Sequence, residues 1–245
     1  MKINILDVQI DSITLTEVLQ KIQEFLKSRH QHFIVTPNPE FIVAAQTDAE
    51  FKKILNYADI AVPDGAGIML AAWLAGSPLK ARITGNDLVW KLAKLSEQKN
   101  CTLYFLGGQN DVAKIAVQEI KKIHPDCKIA GAESGGVIDP KNPNPALMAR
   151  INRAKPDILL IALGQIKQEK FIYYNLDKLP SVKIAVGVGG VFDYISGTVP
   201  RAPKWLRQIG LEWLYRLISQ PARWRRIYNA VIVFPWIVIK KRTNR

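Results

Sequence analysis

Short apolar runs of strand length recur along the chain, separated by longer stretches whose apolar residues repeat every three or four positions. Runs at 33–36, 60–62, 102–106, 158–163 and 184–188 predict strands. Helical periodicity falls between them, at 16–27, 41–56, 66–75, 86–98, 111–123, 145–153 and 168–176. Thr14-Leu-Thr-Glu17 has the form of a capping box opening the first helix, and Asp48 and Asp111 stand where N-caps belong. Such alternation predicts an α/β domain: a mostly parallel sheet with helices on both faces.

The turn residues gather on one side of this pattern. Thr36-Pro-Asn-Pro39, Pro63-Asp-Gly-Ala-Gly67, Gly107-Gly108, Gly164-Gln-Ile-Lys-Gln168 and Gly187-Val-Gly-Gly-Val-Phe-Asp193 each follow an expected strand. All five therefore punctuate the C-terminal edge of the sheet, where open α/β sheets bind ligands. One glycine-rich turn is ordinary loop punctuation. Five on one edge fit a nucleotide-sized site.

After Thr198 the pattern changes. Pro200 and Pro203 break the chain, then Leu206, Ile209, Trp213 and Leu217 recur at helical spacing with Leu214 alongside, while Arg207 and Gln208 fall outside the stripe. We read 1–199 as the α/β domain and 200–245 as a helical appendage. Charge sharpens that boundary. Residues 200–245 hold 11 of the 34 Lys and Arg, one of the 21 acids (Glu212) and four of the six tryptophans. The first 199 residues keep only +3 of the +13 net charge. Basic charge mixed with tryptophan suits a membrane interface, anionic outside and oily beneath, and partly suits nucleic acid. The longest apolar run, 227–239, is interrupted by Asn229 and Pro235 and is too short to span a bilayer, which takes about 20 residues. It is expected to lie in the interface or to dock on the body. No signal peptide is read in the N-terminal residues. Cys101 and Cys127 do not make a disulfide framework.

Several chemistries are absent. None of His30, His32 and His124 sits on the loop edge, and there is no HExxH, CxxC or Walker A sequence. Gly187-Val-Gly-Gly lacks GxGxxG spacing, which counts against an oxidoreductase. No Asp-x-Asp pair is present to hold a metal on a sugar-nucleotide diphosphate, so no metal or other cofactor is expected. Phosphate charge would then meet basic side chains, backbone N–H groups or helix N-termini. Asp64 stands between Pro63 and Gly65, just past a strand and just before a helix. An Asp there commonly only caps the helix. On a ligand edge it can instead take a proton from a sugar hydroxyl, with Gly65 and Gly67 letting a ligand approach the backbone. Thr36 and Asn38 offer a hydroxyl and an amide to a polar substrate.

Taken in order, Thr36-Pro-Asn-Pro-Glu-Phe41, Pro63-Asp-Gly-Ala-Gly67, Arg82-Ile-Thr-Gly85, Phe105-Leu-Gly-Gly108, Lys167-Gln-Glu169, Gly187-Val-Gly-Gly-Val-Phe-Asp193, Arg201-Ala-Pro and Gly210-Leu-Glu-Trp213 resemble the WecG/TagA/CpsF glycosyltransferases. The resemblance runs from about residue 5 to about residue 226. It implies a Rossmann-like fold and a bacterial enzyme moving N-acetylmannosamine, its uronic acid or a related sugar from a UDP donor. The acceptor it implies is undecaprenyl-diphosphate-linked N-acetylglucosamine, with inversion and without a metal. Asp64 then resembles the catalytic base, Thr36 and Asn38 a sugar-contacting pair, and Arg82 an arginine near the diphosphate or acceptor. Gln168 matches the polar residue of a Pro-Lys-Gln-Glu pattern in which Ile166 replaces the proline. Gly187 and Asp193 are expected to frame uridine or ribose. Arg216, Arg223 and Arg226 are expected to meet anionic lipid or a diphosphate. The enzyme would sit peripherally on the cytoplasmic face of the membrane, with its apolar stripes favouring homo-oligomers. A basic-tailed nucleic-acid-binding protein is the reading of another class. Against it, the body is near neutral and carries no nucleic-acid module.

Overall fold

The computed structural model describes residues 1–243, without the side chains of Gln208, Arg242 and Thr243. Its strands are β1 (Lys2–Ile5), β2 (Val8–Asp11), β3 (His32–Val35), β4 (Ile60–Ala61), β5 (Thr102–Gly107), β6 (Lys128–Glu133), β7 (Ile158–Ala162) and β8 (Ile184–Gly187). Six of them form one sheet in the order β4-β3-β8-β7-β5-β6. Every neighbouring pair in it is parallel.

Burial on both faces explains the unbroken apolar runs. Alternate residues serve opposite layers. Phe33, Val35, Leu159 and Ile161 face one, while Ile34, Val186, Leu160 and Phe105 face the other. The first layer is covered by α2 (Pro39–Thr47), α3 (Ala49–Tyr57), α4 (Ala66–Leu74), α7 (Pro145–Ala154) and α8 (Lys167–Asn175). The second is covered by α1 (Leu15–Lys27), α5 (Gly85–Lys99), α6 (Val112–Ile123) and α9 (Val191–Ile195). The fold is thus a Rossmann-like α/β sandwich.

The Thr14 capping box forms as expected: Thr14 N donates to Glu17 Oε2 at 2.7 Å and Glu17 N donates to Thr14 Oγ1 at 3.3 Å. Asp48 caps α3 by accepting from Phe51 N at 2.9 Å. That cap divides the single helix expected over 41–56 into α2 and α3. Asp111 occupies the N-cap of α6, but its carboxylate makes no capping bond and accepts from Lys114 Nζ instead. Three strands escaped the sequence reading. β1 and β2 pair antiparallel as a separate hairpin through Leu6 and Asp7, both at positive φ. β6 is an edge strand that stays half-buried.

The chain after 199 packs back on the body. It forms α10 (Lys204–Gln208), α11 (Glu212–Ser219), α12 (Trp224–Tyr228) and α13 (Phe234–Thr243), the last two joined by a π-helical turn at Asn229–Val233. The stripe from Leu206 to Leu217 is not one helix. Gly210, at φ +79°, ends α10, and Leu211 N reaches back to Leu206 O at 2.9 Å. Phe234 is 1% exposed and belongs to the same apolar layer as Phe41, Ile68 and Ala71. Lys241 pairs with Asp7 at 2.9 Å. The final two residues of the 200–245 segment lie outside the described residues. No helix among the described residues is long and apolar enough to cross a membrane.

Candidate active site

Strand order decides which loops meet. β4, β3, β8 and β7 are consecutive neighbours, so the loops carrying Asp64, Thr36 and Asn38, Gly187 to Asp193, and Gln168 stand side by side on the C-terminal edge. Asp64 N donates to Pro37 O at 2.9 Å, tying the β4 loop to the β3 loop. Ile83 N donates to Pro63 O at 2.9 Å, which brings the start of α5 to the same place. Gly65 holds φ +97°, a conformation that releases the chain from Asp64 into α4. Gly67 has a different purpose from the one expected. A Cβ there would lie 2.7 Å from Pro39 Cγ and 3.7 Å from Phe234 Cε1, so its smallness lets α4 pack on α2 and α13 rather than admitting a ligand.

Asp64 is the electrostatic centre. Burial pushes its carboxyl up from 3.8 to about 6; Arg216 and Arg82 pull it down, Glu212 pushes it up, and the Gly85 N–H at the start of α5 donates to it. A carboxylate near 6 is ionised in most molecules at neutral pH and remains basic enough to accept a proton. Arg82 is anchored from the tail, its Nη2 donating to Arg207 O at 2.9 Å. Arg201 fastens the same seam by donating to Asn86 Oδ1 at 2.6 Å.

The polar residues of the β3, β7 and β8 loops form one buried network. Thr36 is buried and its hydroxyl donates to Gly187 O at 3.0 Å. Asn38 caps α2, accepting from Phe41 N at 3.2 Å. Gln168 is fully buried, accepting from Gly189 N at 2.9 Å and donating to Glu169 Oε1 at 2.6 Å. Glu169, also fully buried, accepts from Ile166 N at 2.8 Å through its other oxygen. Burial pushes Glu169 up from 4.5 to about 7, against the lowering hydrogen bonds from Gln168, from its own N–H and from Ile166. Gly187 is glycine because a Cβ would lie 2.7 Å from Glu169 Oε1 and 2.8 Å from Gln168 Nε2. Ile166 itself sits at φ +72°, a backbone that proline cannot adopt. This loop therefore differs in shape from a Pro-Lys-Gln-Glu loop.

The tail arginines divide into three situations. Arg216 lies over the Tyr194 ring, 5.3 Å from its centroid, and its Nη2 donates to Glu212 Oε1 at 2.5 Å. Burial lowers its pKa, but Glu212, Tyr194 and Asp64 together hold it above the ordinary arginine value. Arg223 reaches the β8 loop beside Asp193. A Cβ on Gly190 would lie 3.2 Å from Asp193 Oδ2 and 3.9 Å from Arg223 Nη2. Burial raises Asp193, with Arg223 opposing the shift. Arg226 is engaged within the protein, forming a bidentate pair with Glu40 through Nη2–Oε2 at 2.7 Å and Nε–Oε1 at 3.1 Å. No group of three or more His, Cys, Asp or Glu side chains gathers at metal-binding spacing among the described residues.

Sequence reasoning passed over Glu212, Tyr194 and Glu169. Glu169 and Glu212 lie inside motifs already singled out, and Tyr194 is the residue after Asp193. Glu212 is also the sole acid of the basic tail, a signal in itself.

A carboxylate held between arginines at the open edge of a parallel sheet suits an enzyme whose reaction takes a proton and releases an anion. The comparisons agree with that class. The chain matches the model of the Glycosyl transferase WecG/TagA/CpsF family over residues 3–245 and belongs to that family; it is a glycosyltransferase. A Bacillus spizizenii (strain W23) protein named N-acetylglucosaminyldiphosphoundecaprenol N-acetyl-beta-D-mannosaminyltransferase is 37% identical over 205 residues, covering 84% of this chain and 78% of its own. Proteins of the same name from Bacillus subtilis (strain 168) and Staphylococcus aureus (strain MRSA252) are 35% and 30% identical. These cover 86% and 98% of this chain, and 80% and 92% of their own.

Proposed function

We propose that this glycosyltransferase moves N-acetylmannosamine from a UDP donor to undecaprenyl-diphosphate-linked N-acetylglucosamine, with inversion and without a metal, in the synthesis of a bacterial cell-surface polymer. The acceptor and sugar rest on the names of the relatives. The observation that carries the chemistry is Asp64, raised to about 6 by burial and flanked by Arg82 and Arg216.

The donor lies across the loops of β3, β8 and β7, with Gly187 and Asp193 toward the nucleoside and Thr36, Asn38 and Gln168 toward the sugar. The acceptor hydroxyl approaches the anomeric carbon from the face opposite UDP. A bond forms from its oxygen to that carbon, the bond from the carbon to the diphosphate oxygen breaks, and the hydroxyl proton passes to Asp64. Charge grows on the departing diphosphate, where Arg82, Arg216 and Arg223 stabilise it by charge-assisted hydrogen bonds. The buried network behind them holds the loops in place, so the site needs little rearrangement when it reacts.

The tail also meets the bilayer. Trp205, Trp224 and Trp236 are 61%, 54% and 59% exposed, Ile218 is 75% exposed, and Lys and Arg side chains surround them. That combination supports peripheral attachment to an anionic membrane, on the cytoplasmic face, and self-association when no membrane is present.

A panel of UDP-sugars with a short-chain lipid-diphosphate-GlcNAc acceptor, run with a chelator present, tests the reading. The expected product is a disaccharide lipid carrying N-acetylmannosamine. Transfer only from another donor, or loss of transfer under chelation, contradicts it.

A further inference from the structure

The stretch from Arg201 to Gly210 touches the segments that hold Asp64 in place. Arg201, mostly buried, donates from Nη1 to Asn86 Oδ1 at 2.6 Å and from Nη2 to Thr84 Oγ1 at 3.4 Å. Asp87 Oδ1 lies 3.7 Å from the same Nη2. Thr84 is the N-cap of α5, accepting from Asp87 N at 3.2 Å. All three partners therefore belong to the cap and first turn of the helix whose Gly85 N–H donates to Asp64. That turn is also wedged against the β8 loop, since a Cβ on Gly85 would lie 3.2 Å from Val188 O.

Further along, Arg207 O accepts from Arg82 Nη2 at 2.9 Å, and Arg207 Nε donates back to Ala202 O at 3.0 Å. The turn is thus closed on itself between its grip on α5 and its grip on Arg82. Gly210 then meets the start of α4, where a Cβ would lie 3.1 Å from Ala66 Cβ. Ala66 is two residues past Asp64. The charges acting on Asp64 are Arg82, before α5, and Arg216 and Glu212, on α11. Arg201 faces Arg207, Asp87, Glu212 and Asp64 itself. A hydrogen bond or cation acts on a carboxylate only at short range, so whatever fixes Gly85 and Arg82 also fixes the base.

We propose that Arg201 is a positioning residue for the base: it acts through the first turn of α5 to keep the Gly85 N–H on Asp64, while the turn it begins keeps Arg82 in range. It works without touching substrate. This deepens the transfer reading above, in which Asp64 takes the proton of the acceptor hydroxyl.

Full-length Arg201→Gln and Asn86→Ala break the grip from its two ends, the second leaving the arginine's charge in place. Asp64 is titrated directly by carbon-13 NMR of labelled carboxyl groups, its signal assigned by its absence in Asp64→Asn. Both variants are expected to raise the Asp64 pKa by about one unit, the worth of a hydrogen bond to a charged group. Both should lower kcat at pH 7 about tenfold, with UDP affinity and the donor KM kept within about twofold. The double variant should be no worse than the worse single one, because both remove the same contact. An Asp64 pKa that is unchanged overturns the proposal, as does one that falls, which would mean that the variants merely admit water to the carboxylate. A rise in only one of them also overturns it. So does a loss of UDP affinity confined to Arg201→Gln, which would make Arg201 a ligand-binding residue. The titration needs no turnover. A wild-type protein that transfers no sugar, in variants of which the Asp64 pKa still rises, refutes the transfer reading and leaves the positioning role standing.

Discussion

The sheet edge and the segment after residue 199 both carry site residues, but they hold them differently. On the sheet edge the polar atoms of the loop residues are mostly used internally, the buried Tyr194 hydroxyl excepted. Thr36 supports Gly187, Gln168 supports Gly189, Glu169 supports Gln168 and Ile166, and Asn38 caps a helix. In the tail, buried donors on Arg216 and Gln220 lack partners, and large apolar side chains face outward. Unmet donors and exposed tryptophans in one segment support the proposal that it meets something outside the chain. On the proposed reading the body provides a preset floor and a base, and the tail brings charge to them. Asp64 sits where the two meet, its ionisation set by burial in the body and by Arg216 and Glu212 from the tail.

Removing the base is expected to have the largest effect. Asp64→Asn should lower turnover by about 10²–10⁴-fold, the usual worth of a general base, with UDP affinity largely kept. Steady-state kinetics with calorimetry on the same protein check both halves. Near-normal turnover would remove Asp64 from its role and leave the contrast between body and tail without a centre.

The next effect tests whether the floor is as preset as its hydrogen bonds suggest. Glu169 titrates near 7 when folded and near 4.5 in an unfolded chain. Its native pKa is raised, so its stabilising contribution is full below 4.5 and is lost as pH rises through 7. Between pH 5 and pH 8 this amounts to about 2–3 kcal/mol. Urea unfolding at those two pH values should show wild type losing more stability with rising pH than Glu169→Gln does. Equal pH dependence in the two proteins would mean that Glu169 does not stay buried in solution.

The smallest effect belongs to the tail. Trp224→Ala and Trp236→Ala should each reduce binding to anionic vesicles by about tenfold, the burial energy of part of a large aromatic side chain. Binding by wild type should survive moderate salt through this apolar component. Unchanged sedimentation of both variants would transfer the docking role elsewhere, for instance to Trp73 and Leu70 of α4, which are 64% and 52% exposed. Point substitutions suit this test better than truncation after Thr198. Truncation would also withdraw Phe234 from the core.

Much of the body was legible because strand burial and turn chemistry are local signals. The runs over 33–36, 60–62, 102–106, 158–163 and 184–188 all became strands of the central sheet, with ends that differ by at most one residue. Asp64 was legible for the same reason: it follows a strand and precedes a glycine. Other features depended on distant partners. β6 reads Lys-Ile-Ala-Gly-Ala-Glu, too small and polar to announce a strand, and pairs only because β5 lies beside it. The β1–β2 hairpin did alternate in sequence, but its turn, Leu6-Asp7, lacks the glycine that usually marks one. Gly67 was read as an opening for a ligand because nothing in its neighbours foretold Pro39 and Phe234 against it. Arg226 could not be told from Arg216 by sequence. One pairs with Glu40, 186 positions away, while the charge of the other acts on Asp64.

The pH profile of kcat/KM for sugar transfer tests the joining of body and tail most directly. In wild type the acid limb should fall near pH 6, where Asp64 gives up its proton. Arg216 lowers that pKa and Glu212 raises it, so Arg216→Gln should move the limb to higher pH and Glu212→Gln to lower pH. Opposite displacements of one limb are the predicted result. A limb that stays in place in both variants, or a wild-type profile with no limb between pH 5 and pH 8, would contradict the account.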